Sequence, residues 1–218
     1  MEHTVVCIAR QDGSGAREVA QLVAAELGFR VVDEDILARV AAEAGVDREA
    51  VADVERRKSR VVSLLEGLGS AGMVMSYVQT PDVGGLAEPE SAELRELIRT
   101  VIEEVADDAS AVIVSHAASL ALGERGDVLR VLVVASSKLR EQRTAASLQV
   151  DAKEAARTLK RSDAARADYI KRFYGVGEEL PTHYDLVINT DKLSVKEAAW
   201  LIVHAARGLH DGAHAPLA

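Results

Sequence analysis

The chain is poor in the residues that build several common kinds of site. Its single cysteine, Cys7, cannot form a disulfide within the chain and lacks a second thiolate for a metal site. Seven aromatic residues (two Phe, one Trp, four Tyr) are too few for base-stacking platforms along a nucleic acid. No apolar run approaches the roughly 18 residues that span a bilayer. The opening MEHTVVCIA has neither a basic n-region nor a long apolar h-region. A basic excess is missing too: 26 Lys+Arg stand against 35 Asp+Glu, a formal charge of −9. That total argues against a nucleic-acid polymer as partner. The expectation is a cytoplasmic protein with no membrane partner.

What is present is a globular mix. The 218 residues are 48% hydrophobic and 28% charged, too apolar for a disordered chain. The length suits one domain, expected over residues 1–208, with a tail at 209–218. Short β-branched runs at 4–9 (TVVCIA), 111–115 (AVIVS) and 128–135 (VLRVLVVA) predict strands buried on both faces of a parallel sheet. Cys7 then reads as a small apolar residue of the first strand. Runs at 29–32 (FRVV) and 185–189 (DLVIN) add two strands. Helical spacing fills 17–27, 91–107 and 194–207, the last opening on Ser194 and Glu197 in a capping-box spacing. The pattern predicts an α/β fold: a three-layer parallel sheet of about five strands flanked by helices, with right-handed crossovers. Two stretches interrupt it. Residues 33–90 are helical and then Gly-rich from Gly67 to Gly85, and residues 151–174 form a strongly basic helical segment.

Residues 9–18 read ARQDGSGARE, between the first strand and its helix. Such a loop offers backbone amides and a helix N-terminus to a phosphate. Laid on GxxxxGK[ST], Gly15 takes the second Gly, Arg10 the first, Ala16 the Lys and Arg17 the Ser/Thr position. The GxGxxG pattern fails as well, because Glu18 stands at its third Gly. A tight turn and a phosphate cradle both fit, and Arg10 and Arg17 favour the cradle because guanidinium groups grip phosphate.

The wider string carries a resemblance. Arg10, Gln11, Gly13, Ser14, Gly15, Arg17 and Glu18 match the S-R-Q-x-G-S-G-x-R-E opening of the cytidylate kinase-like family, a divergent branch of the P-loop nucleoside monophosphate kinases. Leu27-Gly28 and Asp33 continue it, although Glu26 replaces a Lys and Val32 an aromatic. RVLVVASSKLREQR resembles the strand and helix that supply an adenine-side arginine, here Arg140 or Arg143. Asp163 and Arg166 fall on the lid's Asp-x-x-Arg. YDLVINTDKLSVKEAA resembles the closing strand and helix.

The resemblance implies transfer of the γ-phosphoryl of ATP to a nucleoside monophosphate with Mg²⁺. It places an acceptor-binding lobe at 33–90 and a lid at 151–177. Gly13, Ser14, Gly15 and Ala16 would cradle phosphate. Arg10 and Arg17 would replace the charge of the lysine that Ala16 displaces. Glu18 stands at the Mg²⁺-side position, as metal ligand or as a first-turn acid. Arg161, Asp163 and Arg166 would act from the lid, where Arg157, Lys160, Arg161 and Arg166 lie at offsets that let several share a face. Asp33, Arg39, Ser115 and His116 are the acceptor-side candidates. Ser115-His116 replaces the family's Gly-Arg, so the acceptor grip departs from the pattern. Those departures also admit a second reading, a nucleotide-binding regulatory or interaction protein with weak or no catalysis. A homodimer is possible on either. The charge is uneven: residues 138–172 hold ten basic and five acidic side chains, a local +5 within the −9 total.

Overall fold

The computed structural model describes residues 5–33, 36, 88–108, 110–114, 117–123 and 125–210. Most of the expected acceptor lobe, the Gly67–Gly85 loop, Arg39, Ser115, His116 and the tail from 211 lie outside the described residues.

Five strands form one parallel sheet in the order β2-β3-β1-β4-β5. They are β1 (Val5–Arg10), β2 (Arg30–Val32), β3 (Ala111–Val114), β4 (Val128–Val134) and β5 (Leu186–Asn189). Each lies within one residue of its expected ends. Cys7 in the central strand aligns with Ile113 on one side and Arg130 on the other. Six α-helices are seen among the described residues: α1 (Ala16–Leu27), α2 (Glu88–Asp108), α3 (Ala118–Ala121), α4 (Ser137–Leu148), α5 (Ala152–Tyr174) and α6 (Val195–His210). The capping box read at Ser194 is formed. Glu197 N donates to Ser194 Oγ at 3.2 Å, and Ser194 N donates to Glu197 Oε2 at 2.7 Å.

The strand periodicity of two divides the core between the sheet's faces. Val6 and Ile8 meet Val19 and Val23 of α1 and Ala198 and Ile202 of α6. Val5 and Cys7 face the other way, onto Ile98, Ile102 and Val105 of α2 and Leu122 after α3. Each Val or Ile so buried contributes roughly 1.5–3 kcal/mol, which is why the strands read as unbroken apolar runs. Helix α1 carries the chain toward the β2 edge on one face. Helices α2 and α3 carry it back toward β4 on the other, the segregation that a single crossover hand requires. Neighbours β1 and β4 therefore send their onward connections in opposite directions. A crevice opens outside their carboxyl ends, where ligands of open α/β sheets sit.

Candidate phosphate-binding site

The loop from Gln11 to Gly15 leaves β1 at that crevice. Its turn is closed by Ser14 N donating to the Gln11 carbonyl at 3.0 Å. Gly13 and Gly15 take φ of +76° and +83°, the left-handed region that side chains avoid. Gly13 is also fixed by proximity, since a Cβ there would stand 2.8 Å from the Arg140 carbonyl oxygen and 3.0 Å from its Cα.

Three successive carbonyls of this loop accept hydrogen bonds from one side. Arg140 Nε donates to Asp12 O at 2.6 Å. Arg143 Nη1 donates to Gly13 O at 3.3 Å and to Ser14 O at 3.0 Å. Thr190 Oγ1 donates to Ser14 O at 2.7 Å, and Arg143 Nη1 lies 2.9 Å from that hydroxyl. In a planar trans peptide the next residue's N–H points opposite to the carbonyl. The amides of Gly13 and Gly15 are therefore turned away from the arginines. The first turn of α1 adds amides that have no intrahelical acceptor, together with the positive end of the helix dipole.

Beside the loop opens a cleft of about 730 Å³. Arg10, Asp12, Arg17, Glu18 and Arg143 bring charge to its wall; Thr144 and Leu148 of α4, Leu159 of α5 and Val195 of α6 bring mostly apolar surface. Ser14 is fully buried outside this lining, and its Oγ has no hydrogen-bond partner. Two expected site residues meet here: Arg17 Nη2 lies 2.9 Å from Asp33 Oδ2, with the arginine side chain half exposed.

The two arginines expected on the adenine side hold protein groups. Arg140 is buried and forks onto Asp163, while Arg143 bridges the loop to Thr190. Ser162 Oγ donates to the Asp12 carboxylate, so α5 is tied to the loop twice. The basic residues of α5 divide between faces. Arg157 and Arg161 are exposed, each 3.7 Å from Glu154. Arg166, five residues beyond Arg161, is turned about 140° away at the helix's 3.6 residues per turn. It pairs with Glu179 at 2.5 and 2.9 Å, and Tyr184 Oη donates to the same carboxylate. Burial opposes both charges, yet the hydrogen bonds between them win. Glu179 is held below its ordinary pKa and Arg166 above its own. Sequence reasoning missed Thr190, Glu179, Asp12 and Ser162 as partners. Only Thr190 and Asp12 carried a positional signal, one directly after a strand and the other inside the loop.

No helix among the described residues is long and apolar enough to cross a membrane. Solved structures share this architecture over nearly their full lengths. A protein of Eubacterium ventriosum is 17% identical with a TM-score of 0.66, over 94% of this chain and 99% of its own. A gluconokinase from Sinorhizobium meliloti is 12% identical with a TM-score of 0.51, over 98% of each chain. A shikimate kinase from Bacteroides thetaiotaomicron is 14% identical with a TM-score of 0.50, over 94% of this chain and 98% of its own. At these identities the likeness shows the fold, that of the P-loop kinases. Among curated proteins none matches the chain. The model of the cytidylate kinase-like family matches from residue 5 to residue 192, from the first strand through the loop after the last, and the chain belongs to that family.

Proposed function

We propose that this protein transfers the γ-phosphoryl group of ATP to a nucleoside monophosphate or a similar small acceptor. One observation supports the reading: the loop, its carbonyls tied back by Arg140, Arg143 and Thr190, and α1's N-terminus together edge one cleft. Such an edge suits a polyphosphate. The charge missing at Ala16 is met by Arg10 and Arg17 on the cleft wall. The solved neighbours bear two acceptor names, gluconate and shikimate, so the fold leaves the acceptor's class open.

Phosphoryl transfer asks the protein for position and charge more than for covalent chemistry. An oxygen of the acceptor attacks Pγ as the bond to the β–γ bridging oxygen breaks, and ADP departs. The loop amides would hold the β-phosphate, and Arg17 would meet charge on the transferring group. Arg157 and Arg161, exposed on α5, would approach from the lid side. The described residues contain no cluster of three or more His, Cys, Asp or Glu. Mg²⁺ commonly takes one or two carboxylates, water and phosphate oxygens. Glu18 is the carboxylate at α1's first turn that would hold it. Mg²⁺ held there would neutralise phosphate charge.

The pairing of Arg17 with Asp33 favours a second reading, nucleotide binding without turnover, because it leaves that guanidinium engaged by the protein. ATP consumption measured with Mg²⁺ against a panel of nucleoside monophosphates separates the two. Turnover on one acceptor supports transfer. Tight ATP binding with no turnover on any overturns it in favour of the binding protein.

A further inference from the structure

We propose that the outer face of α6 is the twofold interface of a homodimer, centred on Trp200. Helix α6 buries Ala198, Ala199, Ile202, Val203 and Ala206 against the sheet and α1. Its opposite face presents the chain's single tryptophan, 59% exposed, with Leu201 beside it at 37%. A mostly exposed indole is the amphipathic side chain in which interfaces are enriched. The ring is also held in place: it lies 3.8 Å from the His204 ring centroid, and His204 Nδ1 is 2.8 Å from the Trp200 carbonyl.

The pattern along this face selects the occupant. Glu197, Trp200, His204 and Arg207 follow at spacings of three, four and three, the seam of a helix pair. Read backwards, the seam matches itself. An antiparallel copy brings Glu197 against Arg207, Trp200 against His204, and the same pairs again across the axis, as an isologous contact requires. A parallel copy would set Glu197 on Glu197 and Arg207 on Arg207, so the charges exclude that register. Glu197 uses one carboxylate oxygen for Ser194, and Arg207 gives a long 3.3 Å bond to the Glu26 carbonyl, so both retain hydrogen-bonding capacity for a partner. Stable interfaces bury roughly 1,200–2,000 Å², more than one helix stripe supplies. Helix α1 packs beside α6 on the same side of the sheet and also carries exposed residues, Gln21 and Ala25. This inference stands apart from the catalytic reading, and neither depends on the other.

The test uses the full chain. Sedimentation equilibrium across a wide concentration range is expected to give a monomer–dimer equilibrium. Trp200 emission, unobscured by any second tryptophan, is expected to move to the blue as dimer forms. Trp200→Glu is expected to raise the dimer dissociation constant at least about tenfold, the loss typical of a central aromatic anchor. Glu197→Arg and Arg207→Glu are each expected to weaken the dimer, and the double exchange to restore it. Circular dichroism establishes that each variant keeps its helix content. A monomer at every concentration overturns the proposal. So does a blue emission independent of concentration, which assigns the cover to a segment of the same chain. A dimer indifferent to Trp200→Glu, or a double exchange that restores nothing, overturns it too.

Discussion

Arg140 places its two terminal nitrogens on the two carboxylate oxygens of Asp163, at 2.6 and 3.0 Å, while its Nε holds the Asp12 carbonyl. One buried guanidinium thus joins the loop after β1 to the middle of α5. The arginine side chain is 6% exposed and the aspartate 45%. Asp163→Ala strands a buried cation, and breaking a fully buried pair costs about 3–5 kcal/mol. Water reaches the aspartate side, so we expect roughly 1–3 kcal/mol, read from urea midpoints. Pairing Arg140→Leu with Asp163→Leu removes both charges and recovers much of that loss. It does not recover nucleotide affinity, because the Asp12 carbonyl loses its donor. Recovery of both would show that the pair serves stability alone.

Gly13 and Gly15 share a left-handed backbone but not their surroundings. A Cβ at Gly13 meets backbone of α4 at 2.8 Å, whereas one at Gly15 meets only Val195 Cγ2 at 3.5 Å and Arg143 Nη1 at 3.6 Å. Gly15→Ala is expected to cost about 1–2 kcal/mol from conformation alone. Gly13→Ala adds a clash that pushes the loop off Arg140, and a total of roughly 2–4 kcal/mol follows. Thermal melts of the two variants check the order. Equal costs would mean that α4 yields easily.

Arg17 is half exposed, and its ion pair with Asp33 is worth at most about 1 kcal/mol to the fold. Arg17→Ala should therefore leave the melting temperature nearly unchanged. If Arg17 meets transition-state charge, kcat falls about 10²–10³-fold, the loss typical of a missing donor of this kind. Steady-state kinetics on the accepted monophosphate, beside a thermal melt, reads both numbers. A wild-type rate in the variant would return the role to Arg10 or to the lid.

The central strands β1 and β3 were legible because both of their faces are buried. Val5 to Ala9 and Ala111 to Val114 are apolar at every position, and no surface requirement interrupts them. The loop was legible from Gly13 and Gly15, which conformation demands. What the sequence hid was pairing over distance. Arg140 and Asp163 lie 23 residues apart, and Arg143 and Thr190 lie 47 apart. No local periodicity reports such contacts, so the bracing of the loop by these two arginines was not visible in the sequence. Offsets alone did not say which of the basic residues share a face: five residues carry Arg166 off the face of Arg161.

Cys7 offers a reporter of opening. It is 1% exposed in the central strand, and burial pushes its thiol up to about 12. The thiolate is the reactive form, so at pH 8 the folded protein should resist thiol reagents for as long as β1 stays covered. Labelling in rising urea is expected to follow global unfolding and not precede it. Rapid labelling in native buffer would show that the sheet's central strand opens on its own.

Glu179 gives the fold a dependence on acid. Burial raises its pKa, but hydrogen bonds from Arg166 and Tyr184 lower it further, leaving the folded value below the ordinary 4.5. A carboxyl depressed by folding stabilises the protein above its unfolded pKa, and that contribution fades as pH falls through the folded value. Tyr184 moves the opposite way, since burial and the neighbouring carboxylate both raise its pKa, so its hydroxyl keeps its proton throughout this range. Glu179→Gln keeps the shape and one acceptor while removing the charge. We expect it to cost roughly 1–3 kcal/mol near neutral pH, the range for a charge-assisted bond to a part-buried group. As pH falls below 4.5 the gap between wild type and variant should begin to narrow, and it closes only below the depressed folded value, where the wild-type carboxyl is itself neutralised. Urea melts at several pH values between neutral and 3 read this difference directly. A gap that stays constant to pH 3 would mean that the Arg166–Glu179 contact acts through shape, and that the link from α5 to the segment before β5 owes nothing to charge.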